Sequence, residues 1–264
     1  DYLIISNPLL FSGANGSNPV EEYRAYRASA NGGSYNAKIY LEDQLTDQFA
    51  FGIKKHPAGI RNFIMYARNR YPVAPKHVFI IGRGVHYRHQ WTYEAHSSQT
   101  VKDNLEKLNL IPTFGYPASD MLLVADLKTS TPLMPIGRLT AITPAEVAAY
   151  LKKVKDYEQA QRSAGPDIES SAWMKNIAHI VGAGDSFLDD VLTQYMENYR
   201  RKAEDTLYGA KVHTFRKLST NAVEQLINGD LVRLINNGVS LITYYGHSSP
   251  TTLEFNLDEP SNYN

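Results

Sequence analysis

No cysteine occurs anywhere in the 264 residues. Disulfides and thiolate metal sites are therefore excluded within the chain, while the redox compartment is left unread. Net charge is also missing. Lys plus Arg and Asp plus Glu are both 27, so no broad electrostatic field favours nucleic acid or an anionic membrane surface. No apolar run approaches the roughly 20 residues needed to cross a bilayer. The opening residues, DYLIISNPLL, lack the basic region and cleavage site of a signal peptide. The chain starts at Asp1 rather than Met, so it is expected to be a piece of a longer protein.

What is present is a 43% hydrophobic content, enough for a real core. Strand-like runs alternate with helix-like segments, which predicts an α/β protein with mainly parallel sheets flanked by helices. Strands are expected at Tyr2 to Ile5, Ala37 to Leu41, His77 to Ile81, Met121 to Val124 and Leu133 to Ile136, with helices at Val20 to Ser29 and Ala58 to Arg70. Thr143-Pro144-Ala145-Glu146 is a helix start, with Thr as cap, Pro in the first turn and Glu at the capping-box position, and that helix should reach about Gln161. Gly, Pro and Ser interrupt the pattern over residues 162–172, "RSAGPDIESSA", giving a linker between subdomains 1–161 and 173–264. The second half repeats the alternation: strand Ile177 to Val181, helix Phe187 to Glu204, strand Lys211 to Phe215, helix Asn221 to Ile235 and strand Val239 to Tyr245. Two side-by-side subdomains and one continuous sheet both fit; the former is adopted.

The run "GVSLITYYGHSSPTTLEF" carries the candidate chemistry. Val239 to Tyr245 reads as a buried central strand with both faces covered, and His247 follows its C-terminal end, where open α/β sheets place their ligands. That histidine can be a structural hydrogen-bonding residue or a general base. Gly246 permits an unusual backbone, and Ser248, Ser249 and Thr251 add donors. Asp185, in "IAHIVGAGDSFLDD", stands just past the neighbouring strand. It can orient the imidazole, with Asp189 and Asp190 as alternatives, or simply cap the next helix.

The stretch "GVSLITYYGHSSP" resembles the Tyr-x-Gly-His-Gly-Ser strand end that carries the catalytic histidine of gingipain-like cysteine peptidases, members of the caspase-like clan. "DYLIIS", "KHVFIIGRG", "ASDMLLVAD" and "LMPIGRLTAITPAEVAAYLKKVKDYE" match the family's earlier pieces in order, and "WMKNIAHIVGAGDSF" continues them. The Ser-Ser form and the tail "TTLEFNLDEPSNYN" look closest to PorU-type sortases associated with type IX secretion. The resemblance implies a caspase/gingipain-like fold, with His247 as general base and the backbone N–H of Ser248 as an oxyanion-hole donor. It further implies a polypeptide substrate, other type IX secretion components as partners, and a secreted or bacterial cell-surface location. The family commonly has Gly where Ser248 stands. In such peptidases the cysteine nucleophile follows the histidine by a few tens of residues, which places it beyond Asn264 and leaves this chain inactive alone. A pseudo-peptidase scaffold of a secretion complex is the alternative. If the next strand lies beyond Asn264, an exposed sheet edge is expected.

Other signals are weaker. Gly82-x-Gly84 and Gly182-x-Gly184 each follow a strand but lack the third glycine and ribose-binding acid of a nucleotide site. His86, His89 and His96 lie in a polar loop rather than at metal-ligand spacing, and Tyr87, Trp91 and Tyr93 there suit a cleft or partner surface. Asp120 and Asp126 flank a strand and either end it or bind calcium. No cofactor and no metal site are expected.

Overall fold

The computed structural model describes residues 1–86, 98–115, 118–182, 186–216, 224–225, 229–246 and 255–256. Two compact units emerge, Asp1–Tyr157 and Glu158–Asn264.

Unit 1 begins with β1 (Tyr2–Ser6), all five residues of which are buried. α1 (Pro19–Ala28) starts where the Asn18 side chain accepts the Glu21 N–H and Pro19 takes the first turn. β2 (Ala37–Leu41) runs straight into α2 (Glu42–Phe49), and α3 (Pro57–Arg70) starts on the His56 cap. β3 (His77–Ile81) follows, then α4 (Gln99–Leu108), a two-residue antiparallel pair of β4 (Ala125–Asp126) with β5 (Thr131–Pro132), β6 (Ile136–Leu139) and α5 (Pro144–Ser163). The main sheet has the order β2-β1-β3-β6, with every pairing parallel. Helices cover both faces, which explains the unbroken apolar runs of β1 and β3. Tyr23 of α1 and Tyr150 of α5 stack on Phe79 of β3, with ring centroids 5.0 and 5.7 Å away. On the other face Phe63 of α3 meets Tyr40 of β2 at 4.5 Å.

Unit 2 holds the short α6 (Ile168–Ser171), β7 (Asn176–Gly182), α7 (Ser186–Ala203), β8 (Lys211–Arg216), β9 (Glu224–Gln225), α8 (Gly229–Asn236), β10 (Leu241–Gly246) and β11 (Phe255–Asn256). Its sheet has the order β10-β7-β8, again parallel, and β9 pairs with β11. Alternate residues of β7 serve opposite layers. Val181 packs with Leu192 and Met196 of α7, while Ala178 and Ile180 pack with Leu231 and Leu234 of α8.

The α/β architecture with mainly parallel sheets is as expected, and several local assignments are corrected. Met121 to Val124 is not a strand: Asp120–Leu123 forms a 3-10 turn, because the Asp120 carboxylate is drawn onto Arg138 of β6. The strand expected at Leu133 to Ile136 begins instead at Ile136, past Pro132 and Pro135, which have no N–H for a ladder. Of the helix expected over Asn221 to Ile235, the part from Gly229 is seen as α8 while Glu224–Gln225 form β9; residues 221–223 and 226–228 lie outside the described residues. Val239 to Tyr245 is not a covered central strand either. β10 begins at Leu241, and among the described residues it forms the sheet edge, with Leu241 52% and Ile242 41% exposed. Three helices, α2, α4 and the short α6 inside the expected linker, were not anticipated.

Candidate active site

The connection leaving β7 crosses one face as α7 to reach β8, and the chain returns beneath the other face as α8 to β10. Adjacent strands whose connections depart on opposite sides open a crevice at their C-terminal ends, the place where open α/β sheets bind ligands. In unit 2 that rule points to the ends of β7 and β10 as the candidate place. Their last residues, Gly182 and Gly246, are direct partners in the register. A Cβ on Gly246 would sit 2.0 Å from the Gly182 carbonyl oxygen. Only glycine permits so close an approach of the two backbones. Asp185 follows one of these strand ends by three positions and His247 follows the other directly. Asp185, His247 and Ser248 themselves lie outside the described residues, as do Gly184, Ser249, Thr251, His89, His96, Tyr87, Trp91 and Tyr93.

The described residues around the ends of this sheet are charged and aromatic. Asp189, in the first turn of α7, is buried and accepts a 2.5 Å hydrogen bond from Nη2 of Arg216, the last residue of β8. Asp190, exposed, accepts from the same nitrogen at 3.2 Å. The two carboxylates raise the pKa of Arg216 further, with the Asp189 hydrogen bond as the largest cause. Asp189 is thereby tied to β8, the strand on the side of β7 away from β10. The signal for this pair was in the sequence: a strand ending in Arg beside an acidic pair opening the preceding helix. Tyr195 of α7 contacts Tyr245 of β10, ring centroids 6.1 Å apart. Deeper in the sheet, His179 of β7 is 3% exposed, and its Nδ1 has no partner among the described residues. Burial holds its pKa below the ordinary 6.5, with Glu204 opposing and Arg200 reinforcing the shift.

Unit 1 has its own switch point, between β1 and β3, and there the crevice is filled. Leu110 and Ile111 are buried, and the Ile111 N–H donates to the Arg83 carbonyl. Gly82, at φ +147, and Gly84 leave room for this segment: a Cβ would come within 2.7 Å of Ile111 Cγ1 at the first and 2.6 Å of its carbonyl oxygen at the second. These glycines therefore serve packing rather than a phosphate. Arg138 locks the same corner, donating to both Asp120 oxygens at 2.7 Å and to the Gly82 and Ile111 carbonyls. Asp120 is thus spent on Arg138, and Asp126 caps its own turn through the Lys128 N–H. Among the described residues no group of three His, Cys, Asp or Glu is placed to hold a metal ion, and no helix is long and apolar enough to cross a membrane.

The family model for peptidase family C25 matches residues 1–264. The crystal structure of the Arg specific cysteine proteinase gingipain R (RgpB) superposes on 100% of this chain and 51% of its own, with TM-score 0.56 and 14% identity. The complex of Porphyromonas gingivalis RgpB pro- and mature domains matches 96% of this chain and 49% of its own, with TM-score 0.52 and 13% identity. At such identities these likenesses speak for the fold, and the chain spans about half the length of each solved relative. No curated protein matches. With the family model matched from end to end, the chain belongs to peptidase family C25, the gingipain family of cysteine peptidases.

Proposed function

We propose that the intact protein is a gingipain-like cysteine endopeptidase or sortase, of the PorU type associated with type IX secretion, acting on secreted or cell-surface proteins. The observation that carries this reading is the paired Gly182–Gly246 strand end at the unit 2 switch point, immediately ahead of Asp185 and His247. His247 is the general base that takes the thiol proton and later returns it to the leaving amine. The backbone N–H of Ser248 donates to the oxyanion, and Asp185 orients the imidazole. The nucleophilic thiolate comes from a segment beyond Asn264, since none of the 264 residues is cysteine. What supports this reading is that the chain spans about half of its solved relatives and that, among the described residues, β10 forms the sheet edge.

Covalent labelling tests the reading. A thiol-directed peptidyl electrophile is applied to protein extended past Asn264, with His247→Ala as the control. Labelling that requires His247 is expected. A folded, extended protein that resists labelling would leave the alternative, a non-catalytic scaffold for secretion partners, which the Ser at position 248 would then fit.

A further inference from the structure

At the far edge of the unit 1 sheet lies a cavity of about 500 Å³. β2 forms this edge and pairs only with β1 among the described residues. Asn36, Lys38 and Tyr40 alternate along it and so share one face, and all three line the cavity. Asp1, Leu3, Tyr71, Pro72 and Val73 complete its wall.

The Tyr40 and Tyr71 hydroxyls are 3.2 Å apart and share a single hydrogen bond. Whichever oxygen donates, the other keeps its own O–H free to donate. Burial, and then the bond to Tyr71, raise the Tyr40 pKa, so its phenol stays neutral and a donor. Lys38 is exposed, and no carboxylate of the described residues lies within ion-pair distance of it. The Asp1 carboxylate at the rim is engaged by the Asn36 N–H at 3.0 Å and faces Lys76 at 3.9 Å. Free donors and a free positive charge thus stand over an apolar wall. A lysine on an edge strand is a common guard against aggregation, but a guard requires no cavity beside it.

We propose that this edge is a docking groove for an extended acidic segment of a partner protein, which adds a strand to β2 and sets a glutamate side chain between Lys38 and the Tyr40–Tyr71 pair. Strand addition supplies main-chain hydrogen bonds, and the alternate-residue cavity supplies specificity. The two methylenes of glutamate lie along Leu3 and Val73 while its carboxylate takes the free donors.

The test uses the blocked peptide acetyl-Thr-Val-Glu-Val-Thr-amide, its Gln and Lys counterparts, and N-acetylglutamate, each titrated into the intact protein by calorimetry, with amide exchange followed over residues 37–41. The Glu peptide is expected to bind and slow exchange there. The Gln peptide and N-acetylglutamate should bind about tenfold more weakly, and Lys38→Glu should exchange Glu-peptide binding for Lys-peptide binding. Lys38 is exposed, so that variant is expected to keep the wild-type unfolding midpoint. Absence of Glu-peptide binding, equal binding of the Gln peptide, protection at another strand, or a Lys38→Glu protein that keeps the Glu peptide would overturn the proposal. Equal affinity for N-acetylglutamate would refute strand addition.

Discussion

Replacing Gly246 by alanine adds one methyl group at the joint between β7 and β10. The new Cβ would stand 2.0 Å from the Gly182 carbonyl oxygen and 2.8 Å from its carbon. Both obstacles are backbone, so no side-chain rotation relieves the clash and β10 must move outward by more than an ångström at its end. Overpacking of this kind costs about 1–3 kcal/mol, and the ladder hydrogen bond lost alongside it adds about 1 kcal/mol. A total of roughly 2–4 kcal/mol is expected, within the 5–15 kcal/mol that a folded domain commands. Urea unfolding measures it as a lowered midpoint at constant slope. Gly229→Ala is the control, because a Cβ there meets nothing within 4 Å and the residue opens α8. It should be neutral or stabilise by up to about 1 kcal/mol. If the two substitutions shifted the midpoint alike, the close approach at the Gly182–Gly246 pair would be refuted, and with it the crevice placed there.

Arg138→Met removes the four-way grip on Asp120 and the Gly82 and Ile111 carbonyls, and should cost about 3–5 kcal/mol because it strands a partly buried carboxylate. Arg138→Lys should recover only part of this, since an ammonium lacks the planar fork; wild-type stability of the lysine variant in urea unfolding would contradict the assignment. For His179 the pKa is depressed by burial, so the unfolded chain binds more protons than the folded one at mildly acidic pH. Stability is therefore full above 6.5 and falls as pH drops below that value toward the folded pKa. Thermal midpoints compared near pH 7.5 and 5.5 should show this loss, and His179→Gln should flatten it; an unchanged slope in the variant would assign the acid sensitivity elsewhere.

Periodicity and punctuation were enough for the elements whose signals are local. Tyr2 to Ile5, His77 to Ile81 and Ile177 to Val181 read as strands because unbroken apolar runs suit covered parallel sheets. The α5 start was equally legible, and Glu146 does accept the Ile142 and Thr143 N–H groups while the Thr143 hydroxyl accepts that of Glu146. α2 was hidden because its polar residues are held by a distant lysine. Glu42, 3% exposed, takes Lys55 Nζ at 2.8 Å and the Thr46 hydroxyl at 3.0 Å, a pairing across a loop that no helical period announces.

The sequence by itself determined the α/β class, the positions of the main parallel strands β1, β2, β3, β7 and β8, and the Gly-His run at the end of the last long strand, because these depend on residue type and near spacing. Tertiary structure alone decided that Gly246 faces Gly182, that the unit 1 switch point is plugged by Leu110 and Ile111, and that Arg138 binds Asp120. Strand order and register arise from crossovers that bring together residues tens of positions apart, and no local pattern encodes those distances.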